Sequence, residues 1–587
     1  MTLQRLRQTI QHLEGSRRQT ALSLVHGESE RPLMNITIGR LLQQQALQFG
    51  SKEILTVPWK NTHETYRSFS DRCRAIAAGL LSLGIRHGDR VAILAGNCAE
   101  YAELFFGTAI IGAILVVMNN FYTDSELKHA LNFTGSRILF ASPKIAQKNN
   151  MPFLNSLGPR PHQQPGTPVQ KLERIFLLWA GDDNTAQLPM FQEFVEQGNK
   201  QSNESLRKAE DLVDAHDVCN LQFTSGTTGN PKAAMLSHFN MVNNAFAIGD
   251  RMHLTPDSVI LCPTPLFHCF GLVIGLLNAV SHGSRIVFPS EVFDPAAILL
   301  AIKEEKCSAL LGVPTMLSAV LDRVKNNPPE GFDPSSLIAG ISGGAAATPK
   351  LLNDLRANLN LPQFTQAYGM TETSPVSFMT KADDDISKFL SSVGTVMPHL
   401  SAKVVDANGR TLPRGERGEL LIAGYALHKG YWNNPEKTTE ILDVDEHGVT
   451  WLHTGDEASI DEFNRCRITG RIKDIIIRGG ENIYPQEIEE RLVSHPAVSQ
   501  ASVVGISHPI YGEDVAAFLQ HDPMSDSKPA TELLKEWVRK ELSKHKVPTH
   551  FWWIGEEGVA DQFPKTGSGK IIKTELKKIG EEIVKKS

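Results

Sequence analysis

Between Thr224 and Lys232 the chain reads Thr224-Ser225-Gly226-Thr227-Thr228-Gly229-Asn230-Pro231-Lys232, placing four hydroxyls and two glycines in six positions ahead of a lysine. Glycines let backbone pass close to a ligand, and successive N–H groups in such a turn form a concave anion site. Hydroxyls at 224, 225, 227 and 228 add donors, and Lys232 adds charge. This composition suits a phosphate grip; a polar surface loop has the same composition. It differs from the nucleotide-binding pattern G-x-x-x-x-G-K-[ST], because Lys232 follows a proline and precedes Ala233.

Other segments carry complementary chemistry. Ser342-Gly-Gly344-Ala345-Ala-Ala-Thr348 follows the apolar run 337–341 and leaves room for a flat ring against backbone, or simply makes a tight strand-to-helix turn. Tyr368-Gly369-Met370-Thr371-Glu372 packs an aromatic face, a glycine, a hydroxyl and a carboxylate into five residues. Tyrosine can stack on a base, and a carboxylate can share Mg²⁺ with phosphates; a core tyrosine with a capping Thr/Glu is the plainer alternative. Thr454-Gly455-Asp456 and Arg471 could clamp ribose hydroxyls or form a turn and a surface ion pair. Pro564-Lys-Thr-Gly-Ser-Gly-Lys570 presents a terminal lysine on a glycine-rich loop, where most lysines are simply solvated. His268, in Pro265-Leu-Phe-His268, is either a core histidine or a site residue.

The elements that must position these groups are legible from periodicity. A helix is predicted from Tyr66 through residue 83, then a turn and strand at 88–94, another helix, and a buried strand at 114–118. Together these predict a βαβ-like unit. Residues 144–170 and 180–215 are polar and read as surface insertions. A second α/β series is predicted from Asp217 to about Pro398, and a β-rich unit from Ala402 to Ile468. The predicted boundary lies at 470–474. Beyond it come a strand at 475–477, a Gly-Gly turn, a helix from Pro485 to Val493, a strand at 498–504 and a helix at 530–542, enough for a separate α+β domain.

Bulk properties narrow the class. The 587 residues, 41% hydrophobic and 21% charged, are those of a globular chain with a large core. A net charge of −6 with no basic block argues against nucleic acid as a partner. Seven scattered cysteines without a Cys-x-x-Cys pair suggest neither a disulfide framework nor a zinc site. The longest apolar run, Phe105 to Met118, is shorter than the roughly 18 residues a membrane span needs. At the N-terminus, Arg5-Leu6 and His12-Leu13 fall on one helical face about two turns apart. They resemble an N-terminal type 2 peroxisomal signal, which implies an import receptor as partner and a peroxisomal location. An ordinary amphipathic helix is the alternative, with a cytoplasmic location.

Taken in order, Thr224–Lys232, Tyr368–Glu372, Thr454–Asp456, residues 470–474 with Gly479-Gly480-Glu481-Asn482-Ile-Tyr-Pro485, and Pro564–Lys570 resemble the core motifs of the AMP-forming adenylating enzymes, over residues 35–580 or so. The resemblance implies a leader (1–33), an AMP-binding N-terminal domain (34–472) of two α/β subdomains plus a β-subdomain, and a small mobile α+β domain (473–587). It implies ATP, Mg²⁺ and CoA: a carboxylate attacks the α-phosphorus of ATP, and a thiol then attacks the acyl-AMP. By the same resemblance, Thr224–Gly229 and Lys232 grip the β/γ-phosphates with Thr227 at the chemistry, and Glu372 holds Mg²⁺. Tyr368, with Gly369 and Thr371, and Gly344-Ala345 receive adenine, while Asp456 and Arg471 hold ribose. Lys570 draws acid and α-phosphate together, His268 flanks the acyl tunnel, Lys473 is the hinge, and Gly479–Asn482 form the CoA loop. Ala233 stands where the family usually has glycine, a methyl the loop should tolerate. Among the family, the chain is most similar to fungal acyl-CoA ligases that activate mevalonate for siderophore assembly. A medium-chain fatty or aromatic acyl-CoA ligase, an adenylating enzyme loading a carrier protein, and a non-catalytic nucleotide- or acyl-binding protein are the alternatives.

Overall fold

The computed structural model describes residues 21–157, 169–181, 184, 187–224, 232–345, 347–384, 392–566 and 570–586. Its architecture is mixed α/β, with a large N-terminal domain and a smaller C-terminal one. Two mostly parallel sheets form the frame. The first runs, edge to edge, Lys232–Ser237, Val218–Thr224, Ile114–Val117, Arg90–Leu94, Ile138–Ala141 and Arg174–Leu177. The second runs from Thr395–Val396 through Val376–Met379, Gln363–Gly369, Ala339–Gly343, Ala309–Gly312, Val259–Leu261, Arg285–Val287 and Glu53–Val57 to Thr62–Thr65. Their central strands are apolar runs buried on both faces, as parallel sheets covered by helices require. One continuous core fills the space between the sheets, taking in Ile93, Leu115, Cys269, Leu272, Ile341 and Ala367.

The helix Tyr66–Ser82 begins at Thr65, whose hydroxyl accepts from the Ser68 N–H while the Ser68 hydroxyl accepts from the Thr65 N–H. This reciprocal cap satisfies two otherwise orphaned donors. The apolar run at 105–118 resolves into the end of a buried helix, Ala99–Ile110, and the buried strand Ile114–Val117. No described helix is long and apolar enough to cross a membrane.

A third, antiparallel sheet is built from Leu400–Val405, Gly418–Gly424, Thr450–Ile460, Leu442–Val444 and Cys466–Arg471. Its edge is closed by Leu24–His26, which pairs in antiparallel register with Ser401–Lys403. Residues 22–26 thus belong to the fold, although the sequence places them in a leader. Three residues are too short for periodicity to reveal a strand, and Val25 alone is buried. The expected surface insertions also turn out to be packed. Met151, Phe153, Leu154 and Leu157 are buried, as are Phe191, Phe194, Val195 and Leu206. Phe194 lies 5.2 Å from Phe140 and 5.1 Å from Phe176, centroid to centroid. Few apolar residues on one face of a short helix are enough to bury it, and their polar neighbours mask them in composition.

The C-terminal unit holds Glu481–Ile483, Ile476–Arg478, Gly512–His521, Val498–His508 and His550–Trp553 in one sheet, with the helix Pro485–Val493 where periodicity predicts it. Its core (Ile476, Ile488, Val503, Leu519, Leu534) is separate from that of the large domain. All seven cysteines are buried and free.

Candidate functional site

Three strands and one loop of the large domain deliver their ends to a common cleft, and the C-terminal unit adds a lysine. Thr224 and Lys232 are cross-strand partners at the mouth of an antiparallel pair; Ser225, Gly226, Thr227, Thr228 and Gly229 between them lie outside the described residues. Residues 429–432 run alongside the Lys232–Ser237 strand: Lys429 N–H donates to the Met235 carbonyl and Trp432 N–H to the Ala233 carbonyl. That added strand sets Tyr431 beneath Lys232, whose ammonium lies 5.0 Å from the ring centroid. The Tyr431 hydroxyl donates to Glu372 Oε1 at 2.6 Å.

Glu372 sits on a single 3₁₀ turn, Thr371–Thr373, just past the strand Gln363–Gly369. The turn is held from outside, since His428 N–H donates to the Glu372 carbonyl at 2.9 Å. Gly369 is required there: a β-carbon would lie 1.8 Å from the Pro375 carbonyl oxygen. Glu372 is buried and uses one oxygen on Tyr431. Among the described residues no three His, Cys, Asp or Glu side chains cluster as a metal cage. One carboxylate beside a phosphate site is nevertheless the donor set Mg²⁺ accepts when phosphates and water complete its shell.

Across the cleft, Asp456 and Arg471 are cross-strand partners, with Arg471 Nε 3.5 Å from Asp456 Oδ1. Tyr368 donates its hydroxyl to Asp456 Oδ2 at 2.6 Å, and the Thr454 hydroxyl accepts from the Asp456 N–H. Burial raises the Asp456 carboxyl, with Arg471, Tyr368 and Lys570 opposing it. Burial, then Asp456, holds the Tyr368 phenol protonated far beyond its ordinary range.

Lys570 arrives from the small domain on a reverse turn in which Thr566 N–H donates to the Lys570 carbonyl and Lys570 N–H to the Thr566 hydroxyl. Its side chain passes Gly344, where a β-carbon would stand 3.6 Å from Lys570 Cε; Gly344 is at φ +81°, a conformation suited to glycine. Ala345 follows, exposed beside it. Surrounding protein mass lowers the Lys570 ammonium from its usual value, and Arg471 lowers it further, while Asp456 and Glu372 oppose both. The residue is nevertheless exposed to solvent. An ammonium pressed toward a guanidinium is a place where an anion binds favourably.

His268 precedes a π-helical segment, Phe270–Leu277, and packs on Phe267 at 4.5 Å between centroids. Burial and the Lys570 charge bring its pKa down to about 4, so the ring is neutral near pH 7, and its Nε2 has no partner. So weak a base orients or donates better than it abstracts protons. Lys473 lies exposed in the short turn Ile472–Asp474. Gly479 and Gly480, at φ +60° and +87°, turn the exposed hairpin that carries Glu481 and Asn482. Arg5, Leu6, His12 and Leu13 lie outside the described residues.

The structure thus brings Lys232, Glu372, Tyr368, Asp456, Arg471, Gly344 and Lys570 together, and leaves Lys473 and the 479–482 hairpin exposed. Tyr431 is a site residue the sequence reading does not single out. The local signal that marks it is the pair Gly430-Tyr431, whose glycine takes φ +99°.

Comparison with known proteins is consistent with this geometry. The AMP-binding enzyme model matches residues 42–432, and the AMP-binding enzyme C-terminal domain matches 487–570. A protein named acyl-CoA ligase sidI from Aspergillus fumigatus is 50% identical over 585 residues, covering 100% of this chain and 98% of that one. A namesake from Beauveria bassiana is 47% identical, with 96% of each chain covered. In fold, the chain is similar to an anthranilate CoA ligase solved in complex with anthranoyl-AMP, with a TM-score of 0.80 at 23% identity, covering 94% of this chain and 99% of that one.

Proposed function

This chain belongs to the AMP-binding enzyme family, and on that premise we propose that it is the ligase that joins mevalonate to coenzyme A for siderophore assembly. It is an ATP-dependent acyl-CoA ligase, an acid–thiol ligase that forms acyl-AMP. A carboxylate oxygen attacks the α-phosphorus of ATP and the bond to the bridging oxygen breaks, releasing pyrophosphate. The CoA sulfur then attacks the acyl carbonyl, its proton leaves to solvent, and AMP departs.

The observation that carries the reading is Lys570, a residue of the small domain set in the large domain's cleft beside Arg471, Asp456 and Glu372. Two anions must meet in the first step. A fixed ammonium and guanidinium lower that repulsion in advance, the preorganised electrostatics that supply much of enzymatic rate enhancement. Lys232 and the hydroxyl-rich loop hold the leaving phosphates. Glu372, oriented by Tyr431, would hold Mg²⁺ through one carboxylate oxygen, and the ion would supply charge neutralisation for the departing pyrophosphate. Tyr368 and Gly344-Ala345 border the adenine site, with Gly369 and Thr371 shaping the turn beneath it. Asp456 and Arg471 take the ribose hydroxyls, and His268 stands at the acyl side. We place thioester formation at the 479–482 hairpin after the small domain turns about Lys473.

The test is AMP release from ATP and CoA with mevalonate, octanoate or coumarate. Mevalonate is expected to give the highest kcat/KM. Octanoate ahead of it would make the enzyme a medium-chain ligase, and pyrophosphate exchange without any acyl-CoA would sink the ligase reading. We place the protein in the peroxisome through Arg5-Leu6 and His12-Leu13, read by an import receptor. The full chain fused at its C-terminus to a fluorescent protein should be punctate and should become diffuse with Arg5→Ala and His12→Ala. Unchanged puncta in the double variant would refute this.

A further inference from the structure

Next to His268, the Cys269 thiol donates to Gln222 Oε1 at 3.1 Å. Gln222 is 1% exposed, yet its Nε2 has no partner. Exchanging the amide oxygen and nitrogen does not remove the deficit, because the thiol can engage only one of them. Burying an amide N–H without a partner costs free energy that a native fold rarely leaves uncompensated. Gln222 lies on the strand Val218–Thr224, two residues before the phosphate loop, and the flanking Leu221 and Phe223 pack into the opposite core. Its side chain therefore faces the space between the two large sheets, where Cys269 and the Phe270–Leu277 segment pack.

The surroundings point to the acid. Cys269 is also within reach of the Thr371 hydroxyl and feels the Glu372 charge. His268 feels the charge of Lys570. With the carboxylate end of the substrate at Lys570, the unpaired amide is linked to it through Cys269 and the neighbouring His268. The Phe270 ring that follows Cys269 packs on Gly343, where a β-carbon would stand 2.9 Å from Phe270 Cε2, and offers the amide no hydrogen-bond acceptor. An aliphatic acid would leave the amide as unsatisfied as it is now. A hydroxyl on the acyl chain would satisfy it.

Building on the ligase function, we propose that Gln222, held by Cys269, is a specificity-determining residue that accepts hydroxylated acyl groups by donating its amide N–H to the substrate hydroxyl. A site built to bond a hydroxyl rejects the analogue lacking it far more strongly than an apolar pocket rejects an added methylene.

The experiment compares mevalonate with 3-methylpentanoate, which has the same carbon skeleton without hydroxyls, on wild type, Gln222→Leu and Cys269→Ala. Activity is read as AMP release with ATP and CoA. Wild type should favour mevalonate. Gln222→Leu should lower the mevalonate to 3-methylpentanoate ratio of kcat/KM by about 10-fold or more, through mevalonate. Cys269→Ala, which frees the amide, should lower it in the same direction by less. Because both acids meet the same preparation, loss of folded enzyme cancels in the ratio. A wild type that takes both acids equally, or a ratio unchanged in both variants, overturns the role of Gln222 and leaves the ligase function standing. A wild type that activates neither acid sinks the proposed substrate and this inference with it.

Discussion

On the role proposed for it, Lys570 is one side chain whose removal should separate the two half-reactions. It stands beside Arg471, Asp456 and Glu372, where acid and α-phosphate would approach, and the later attack of a thiol would not need it. Lys570→Ala should therefore lower acyl-AMP formation by about 100- to 1000-fold, the loss typical of one preorganised charge. Conversion of supplied mevalonyl-AMP and CoA to thioester should stay near the wild-type rate. Acyl-AMP formed by the variant at an undiminished rate would refute the assignment. Because the surrounding protein and Arg471 lower its pKa, the charged form persists only below a pKa under the usual 10.5. Adenylation should then fall on the alkaline side earlier than an ordinary lysine would dictate. At this scale the sequence is informative where chemistry is dense: Tyr368–Glu372 and Thr454–Asp456 each declare a role within a few residues. Tyr431 and Gln222 are silent because their partners, Glu372 and Cys269, lie 59 and 47 residues away. Only the folded register makes either pair visible.

The elements that hold the small domain in place form a compact latch. Arg417, at the head of the strand Gly418–Gly424, pairs with Glu487 Oε1 at 3.0 Å, and Lys546 takes the other oxygen at 2.5 Å. Glu487 stands in the first turn of the helix Pro485–Val493, and its carboxyl is held below its usual value by Lys546 and Arg417 against the opposing effect of burial. Beside it, the Tyr484 hydroxyl donates to Glu457 Oε1 at 2.8 Å, and the Arg417 guanidinium lies 5.0 Å from the Tyr484 ring centroid. This latch favours the arrangement that seats Lys570. Arg417 is partly exposed, so the pair is worth only about 1 kcal/mol after solvent screening. Arg417→Ala should slow adenylation about 2- to 5-fold while leaving thioester formation from supplied acyl-AMP unchanged or faster. Equal losses in both steps would show that Arg417 acts on the large domain's fold and not on domain pose. The helix carrying Glu487 is legible in the sequence, since Pro485 opens it and apolar spacing runs to Val493. The latch is not, because its partners come from three distant elements.

Three histidines at separate places in the large domain, His238 and His428 buried and His268 partly so, tie its stability to pH. His238, His268 and His428 are each brought down to about 4, chiefly by burial. His238 faces Asp217 and Asp214, which pull its pKa up, and His87, which pushes it down; burial outweighs them. His268 faces Lys570, and His428 rests edge-on against Tyr431 at 4.9 Å, with the Gly430 backbone opposing the effect of burial. All three are neutral in the fold but protonated in the unfolded chain below about 6.5, so between about 4 and 6.5 the unfolded state binds more protons. Stability must therefore rise with pH across that window, be fully present above it, and drain away as pH falls toward 4. Each histidine contributes on the order of a few kcal/mol by this route. Thermal unfolding followed at pH 7.5, 6 and 5 should show a falling midpoint. His428→Met fills a similar volume with no titrating group, and it should make that decline shallower, because one of the titrating rings is gone. A decline of the same steepness in variant and wild type would show that His428 is already protonated in the folded enzyme.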